Sequence, residues 1–267
     1  MKLILTLLIS IVLVLSTRAQ SYKAVYSYKF IPDSSNMQDV KSVRAVLRIS
    51  EISSLFSTEA NLKRDSITHL VRNGELPLYR AMREMRQLYA IDKVSFIVSK
   101  SFETKEVTFH DKIATQKFKY SDNAIFNWEI GNSRRDILGY NCQSAKLKFG
   151  GRNYVAWFTD EIPIPDGPFV FQGLPGLTVS IRDTKYHHNF ELKSFMARGA
   201  NVNEDNPYDN ELYIQTTKEK FLRSKKDYFD NPDAFMEGTG AIVVSENAPK
   251  INPWRGVIRN SIIIEGY

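Results

Sequence analysis

The chain has 267 residues, 43% hydrophobic and 25% charged, with a formal net charge of +6. That composition and length suit one large globular domain with a substantial core. The single cysteine, Cys142, excludes an intramolecular disulfide framework, and the mild charge comes with no recognised binding module that would point to a nucleic acid.

Met1-Lys2, an apolar run from Leu3 to Leu15, and Ser16-Thr17-Arg18-Ala19-Gln20 read as a secretory signal peptide over 1–19, cleaved after Ala19. The run is about 13 residues, short of the roughly 20 that span a bilayer. Gln20 and not a cysteine stands directly after the cleavage site, so a lipid anchor is not expected. Cleavage removes Lys2 and Arg18 and no acid, which takes the net charge from +6 to +4. The expectation is a single β-rich domain over 20–267, exported to the periplasm or cell surface, with no transmembrane helix in the mature chain. Its slight lysine excess suits a solvated surface, and also anionic lipid or glycan surfaces.

Most of the following sequence alternates with period two. Ala24, Tyr26, Tyr28 and Phe30 share one face of a strand over 22–30, with Lys23, Ser27 and Lys29 on the other. Strands are predicted at 40–48 and 52–58. Between Asn61 and Asp92, Leu78, Met82, Met85 and Leu88 recur at spacings of four and three, with Arg80, Arg83 and Arg86 elsewhere on the turn, which fits an amphipathic helix, with a variable surface excursion as the alternative. Strand patterns return at 94–102, 106–110, 116–120 and 126–130. Two further strands, 142–149 and 153–159, flank Gly150-Gly151, a hairpin signal because both central positions need positive φ. Another hairpin runs from Leu177, Val179 and Ile181 through Asp183-Thr184-Lys185 to Phe190 and Leu192.

Thr216 with Glu219 predicts a capping box opening a helix to Tyr228, ended by Asn231-Pro232. A glycine turn at 238–240 and strands at 241–244 and 262–264 complete the pattern. The fold class is mainly β (α+β): a curved antiparallel sheet or half-barrel of about ten strands with one or two helices.

Catalytic signatures of the nucleophile-elbow, H-E-x-x-H and Walker kinds are missing, and no cofactor or metal is indicated. His187 and His188 would point to opposite faces of a strand, so a shared metal is disfavoured and surface hairpin histidines are expected. A small buried side chain is the expected role of Cys142. The stretch from Trp157 to Pro168 carries three carboxylates, Asp160, Glu161 and Asp166, beside Trp157 and within a proline-stiffened loop. Such carboxylates bind sugars or do acid–base chemistry, and equally serve as turn residues, with Arg152 able to pair with one of them.

Residues Gly151 to Pro163, Gly167-Pro168-Phe169 and Gly173-Leu174-Pro175-Gly176-Leu177 resemble the GLPGLI family of exported Bacteroidota proteins, with Thr178 where the family has isoleucine. Trp128 and the segment 137–145 also look like the family, so the close match covers about 125–195. The resemblance implies membership in a family without an assigned activity, hence no catalytic residue. It marks Arg152, Trp157, Glu161, Pro163, Gly167, Pro168, Gly173, Pro175 and Gly176, and Leu174 belongs to the same motif. A looser likeness to half-barrel lipoprotein carriers is one of fold alone.

Three functions stay open. The first is a non-catalytic binding or accessory protein of the envelope, its concave face an aromatic-lined groove for an envelope protein or apolar ligand, since the chain has 16 phenylalanines and 13 tyrosines. The second is a periplasmic hydrolase using the carboxylates of the 160–166 loop. The third is an outer-membrane β-barrel. Pro175-Gly176 is expected to form a type II turn, a bend between Phe169-Val170-Phe171 and the strand from Leu177 rather than a ligand grip.

Overall fold

The computed structural model describes residues 21–198 and 213–231, apart from positions 93, 115 and 124. The signal peptide expected over 1–19, the glycine turn expected at 238–240 and the strands expected at 241–244 and 262–264 lie outside the described residues.

Alternation builds the first sheet segment as expected. In β1 (Ser21–Phe30), Ala24, Tyr26, Tyr28 and Phe30 are all buried. Then follow β2 (Lys41–Ile49), β3 (Ser53–Thr58), β4 (Ile97–Ser101), β5 (Val107–Ile113) and β6 (Gln116–Asp122). The chain crosses to β7 (Glu129–Ile137) and returns through β8 (Tyr140–Phe149), β9 (Arg152–Thr159), β10 (Leu177–Asp183) and β11 (His188–Arg198); the short β12 is Ile214–Gln215. These twelve strands form one open sheet in the order β12-β6-β5-β4-β3-β2-β1-β11-β10-β9-β8-β7. Neighbours pair antiparallel except β12 with β6, which are parallel. Gly150 and Gly151 turn the β8–β9 hairpin with φ of 57° and 68°, the left-handed pair such a tight turn needs.

The sheet has to curve. Ten strand spacings separate β6 from β7, which in a flat sheet would be ~48 Å. Only the seven steps from Asp122 to Glu129 join them, and these reach at most ~25 Å. Consistent with this, the main core gathers side chains from both wings, among them Phe56, Phe109, Tyr154 and Phe190.

Residues 61–92 make two helices rather than one. Thr58 caps α1 (Glu59–Arg72) by accepting from the Asn61 amide at 3.2 Å, and Asn73-Gly74, with Gly74 at φ 74°, ends it. Pro77 then opens α2 (Leu78–Ile91). Helix α1 lies on the convex face, where Leu62 packs with Val46 and Ile97 in a second small core. That cover buries both faces of β2 in places, which is why strict alternation fails there. Helix α3 (Lys218–Asp230) instead joins the concave core through Phe221, which packs on Phe118 and Tyr120. Its cap is Thr217, accepting from the Lys220 amide at 3.3 Å, so the Thr216–Glu219 box is displaced by one residue. Strand β7 likewise starts at 129 rather than 126. Phe126 and Trp128 are interior anchors ahead of it, their rings within reach of Phe171.

Candidate functional site

The motif loop leaves β9 at Thr159 and crosses the concave interior before β10 begins at Leu177. Its four prolines, Pro163, Pro165, Pro168 and Pro175, limit its conformational freedom. Phe169-Val170-Phe171 form a buried turn, not the extended entry to a strand that the sequence suggested. Phe169 meets Phe96 at 5.3 Å and Phe109 at 5.6 Å on one wing, while Phe171 meets Tyr154 at 4.9 Å on the other. Phe169 does so at φ 57°, a left-handed conformation that costs a non-glycine residue about 1–2 kcal/mol. Such strain is sustained by the packing around the ring. The aromatic-lined groove expected on the concave face is therefore filled by the protein's own loop.

The glycine–proline motif is the joint that seats this plug. The Gly176 amide donates to the Leu174 carbonyl at 2.8 Å, and the Leu177 amide donates to Ile162 at 3.0 Å instead of closing back on Leu174. This is a γ-turn centred on Pro175, in place of the predicted type II turn. Gly176 has φ 151°, and a Cβ there would lie 2.0 Å from the Thr159 carbonyl oxygen. Glycine is needed because two backbones meet. Leu174 and Leu177 are buried on either side, and the Gly173 amide donates to Pro165 at 2.9 Å.

Inside the plug sits a buried ion pair. Lys100 on β4 bonds the Asp166 carboxylate and, at 2.7 Å, the Gly167 carbonyl, with both charged side chains fully buried. The Gly167 amide donates to Asp166 Oδ1 at 2.8 Å, and the Thr178 amide donates to the Asp166 carbonyl at 2.9 Å. Burial pulls the Lys100 pKa down, and the Asp166 charge opposes that shift. Tyr26, whose hydroxyl donates to the Thr178 carbonyl at 2.8 Å, has its pKa raised by burial and then by the Asp166 charge. Gly167 is held so close that a Cβ would meet Thr178 Cβ at 2.7 Å.

A second polar cluster lies at the opposite end of the strands. Arg152 donates to Asp183 Oδ2 at 2.6 Å and to His187 Nδ1 at 3.0 Å, while the His188 amide donates to Asp183 Oδ1 at 3.0 Å. The His188 ring bonds the Tyr28 hydroxyl at 2.9 Å, and burial raises the Tyr28 pKa. Both histidines are buried, contrary to the surface position expected of them, because Asp183 and Arg152 draw the hairpin end inward. Arg152 pairs with Asp183 and not with the 160–166 carboxylates. Lys100 was not singled out in the sequence, and Tyr26, Tyr28 and Asp183 were read there only as strand and turn residues. One signal was there for Lys100: it shares an alternation face with Phe96 and Val98.

The three loop carboxylates do not converge. Asp160 and Glu161 are exposed, Glu161 accepting from the Asn141 amide at 2.7 Å, while Asp166 is buried against Lys100. Trp157 is half-buried under the Arg135 guanidinium at 4.1 Å, Pro163 is exposed and Pro168 buried. Cys142 is a free buried thiol whose pKa burial pushes up to about 11. Among the described residues no group of three potential ligands is arranged to hold a metal ion. No described helix is long and apolar enough to cross a membrane.

Surface chemistry concentrates on the helical hairpin. Helix α2 buries only Ala81, and its Leu78, Met82 and Tyr89 stand 64%, 64% and 48% exposed. They border an open groove of about 680 Å³ between α1 and α2, with Thr68 and Val71 on the α1 side and Arg83 and Arg86 on its rim. The amphipathic pattern predicted for this segment is real, but Leu78 and Met82 of its stripe face outward while Met85 and Leu88 are half-buried.

A family model described as "Protein of unknown function (Porph_ging)" matches residues 150–180, the β9 strand, the plug and the start of β10. No curated protein matches the chain. Among solved structures, PNGF-II in a C2 crystal form is similar, at 15% identity and a TM-score of 0.51 over 78% of this chain and 32% of that one. The P21 form gives 15% and 0.51 over 77% and 33%. The chain thus spans about a third of the length of PNGF-II, and at this identity the likeness is one of fold.

Proposed function

We propose that the chain is an exported, non-catalytic binding or accessory protein of the cell envelope, and that it belongs to the GLPGLI family of Bacteroidota. The observation that carries the reading is the outward apolar stripe of α2, set on a sheet whose concave face is already packed by its own loop. An apolar stripe left in water is a cost that a partner relieves. The motif segment supports the family assignment, since the matched residues 150–180 include the same GLPGL sequence. Within this reading the motif residues are structural, holding the plug that makes the sheet a rigid platform.

The hydrolase alternative draws no support from the loop, whose carboxylates are split between surface and core. A lipid-facing barrel has a polar lumen and apolar outer positions; here the concave side is the apolar one and Lys146 and Lys148 point outward from β8. The test is a photo-crosslinker placed at Met82 and, as control, at exposed Lys146, in cells of the source organism. The reading expects adducts with an envelope component from Met82 alone. Equal labelling at both positions, or none at Met82, overturns it.

A further inference from the structure

We infer that α2 is a docking element for an anionic phospholipid bilayer surface, an inference that rests on the envelope-binding reading and names the partner's chemistry.

Three features of the helix carry it. The first is the apolar content of the exposed surface. Leu78, Met82 and Tyr89 form the stripe, and Tyr79 and Ile91, 66% and 72% exposed, stand outside it on other sides of the helix. A peptide helix seated in the groove would cover the stripe and leave Tyr79 and Ile91 in water. A lipid interface is a deformable solvent broad enough to take the stripe and the flanking Tyr79 together, with tyrosine rings at headgroup depth.

The second feature is charge. Arg80, Arg83 and Arg86 are exposed, and Glu84 is the one acid in α2. Among the described residues no carboxylate lines the groove, whereas Arg83 and Arg86 do. The two acids of α1 are engaged elsewhere: Glu59 pairs with Arg44, and Asp65 lies 3.9 Å from Lys112. Arginine stems can lie along the apolar stripe while their guanidiniums reach phosphate.

The third feature is independence from the core. Helix α2 packs on α1, and Ala81 is its one buried residue, so the sheet does not need its apolar face. Arg64 on α1 braces the hairpin from below, donating to the Asp92 and Val94 carbonyls at 2.8 and 2.6 Å and stacking on the Tyr89 ring at 4.6 Å. The helix is thus held as a rigid, projecting arm.

The experiment is co-sedimentation with vesicles, using the chain as recovered after export, its N-terminus sequenced so that the apolar run at Leu3–Leu15 is known to be absent. The probes are vesicles of phosphatidylglycerol with phosphatidylethanolamine, and of phosphatidylcholine alone. The expected result is sedimentation with the anionic vesicles, weakened by salt and at least about tenfold weaker on phosphatidylcholine. Two variants, L78D/M82D and R83E/R86E, are each expected to lose about tenfold or more in binding. Their thermal midpoints should stay near that of the parent because these side chains are exposed, and that is the check on folding.

Failure to bind anionic vesicles, or unchanged binding by both variants, overturns the inference. A dimer that L78D/M82D disrupts, without vesicle binding, overturns it in favour of a second copy of this chain. If vesicles fail while crosslinking at Met82 still captures an envelope protein, the lipid partner is wrong and the envelope-binding reading stands.

Discussion

Gly176 offers the sharpest test of how the plug is seated. Replacing it by alanine places a Cβ 2.0 Å from the Thr159 carbonyl oxygen, 2.6 Å from its carbon and 3.0 Å from Asp160 Cα, all of them backbone. No side chain can swing away, so β9 and the loop must separate by about 1 Å in a close-packed interior. Overpacking of this kind costs roughly 1–3 kcal/mol, and the φ of 151° adds strain of order 1–3 kcal/mol. The expected loss for G176A is ~4 kcal/mol in urea unfolding, or roughly 8–16 °C in thermal midpoint for a chain of this size. Two companion substitutions separate the terms. At Gly173 a Cβ meets nothing within 4 Å but φ is 90°, so G173A should cost only ~1–2 kcal/mol. Gly167 tests the close approach to Thr178, where a Cβ would lie 2.7 Å from another side-chain carbon. Equal losses for G176A and G173A, or a G176A protein within ~1 kcal/mol of the parent, would refute the claim that backbone contact demands this glycine.

Truncating one partner of the buried Lys100–Asp166 pair leaves the other charge uncompensated, so K100M and D166N should each cost ~3–5 kcal/mol, and K100M/D166N less than the sum; strict additivity in this double-mutant cycle would show the two are not coupled. D183N should lose ~2–3 kcal/mol by weakening the bonds from Arg152 and the His188 amide, with denaturant midpoints as the measure and a neutral outcome counting against that network. Because burial raises the Cys142 pKa to about 11, its native thiol should resist alkylation at pH 8 and react only after unfolding, when the ordinary pKa near 8.5 returns. The same shift has a stability sign: the folded state holds the proton more tightly, so the contribution is present below the unfolded pKa and is lost as pH rises from about 9 toward 11. C142A should flatten that part of the pH–stability curve, and an unchanged slope would place its cause elsewhere.

The sequence by itself determined the strands whose two sides differ. In β1 every second residue from Ala24 is core, and Gly150-Gly151 marks the β8–β9 turn, because side-chain direction and φ are local properties of the chain. Alternation was blurred where cover came from a distant element, as when α1 buries Val46 on the convex side of β2. Register across the whole sheet, and hence the closeness of β6 and β7, is also a non-local outcome.

The motif shows the division most clearly. Its glycines and prolines signalled a bend, but its γ-turn and the contact of Gly176 with Thr159 depend on where β9 lies. The carboxylates of the 160–166 loop look alike in sequence, yet burial beside Lys100 on a strand 66 residues away makes Asp166 an internal ion-pair partner while Asp160 and Glu161 stay in solvent. Likewise the stripe of Leu78, Met82, Met85 and Leu88 was legible as apolar, but periodicity carries no information about what a face meets. Only the packing of α1 onto β2 and β3, with α2 placed outside it, decided that this stripe is turned away from the core.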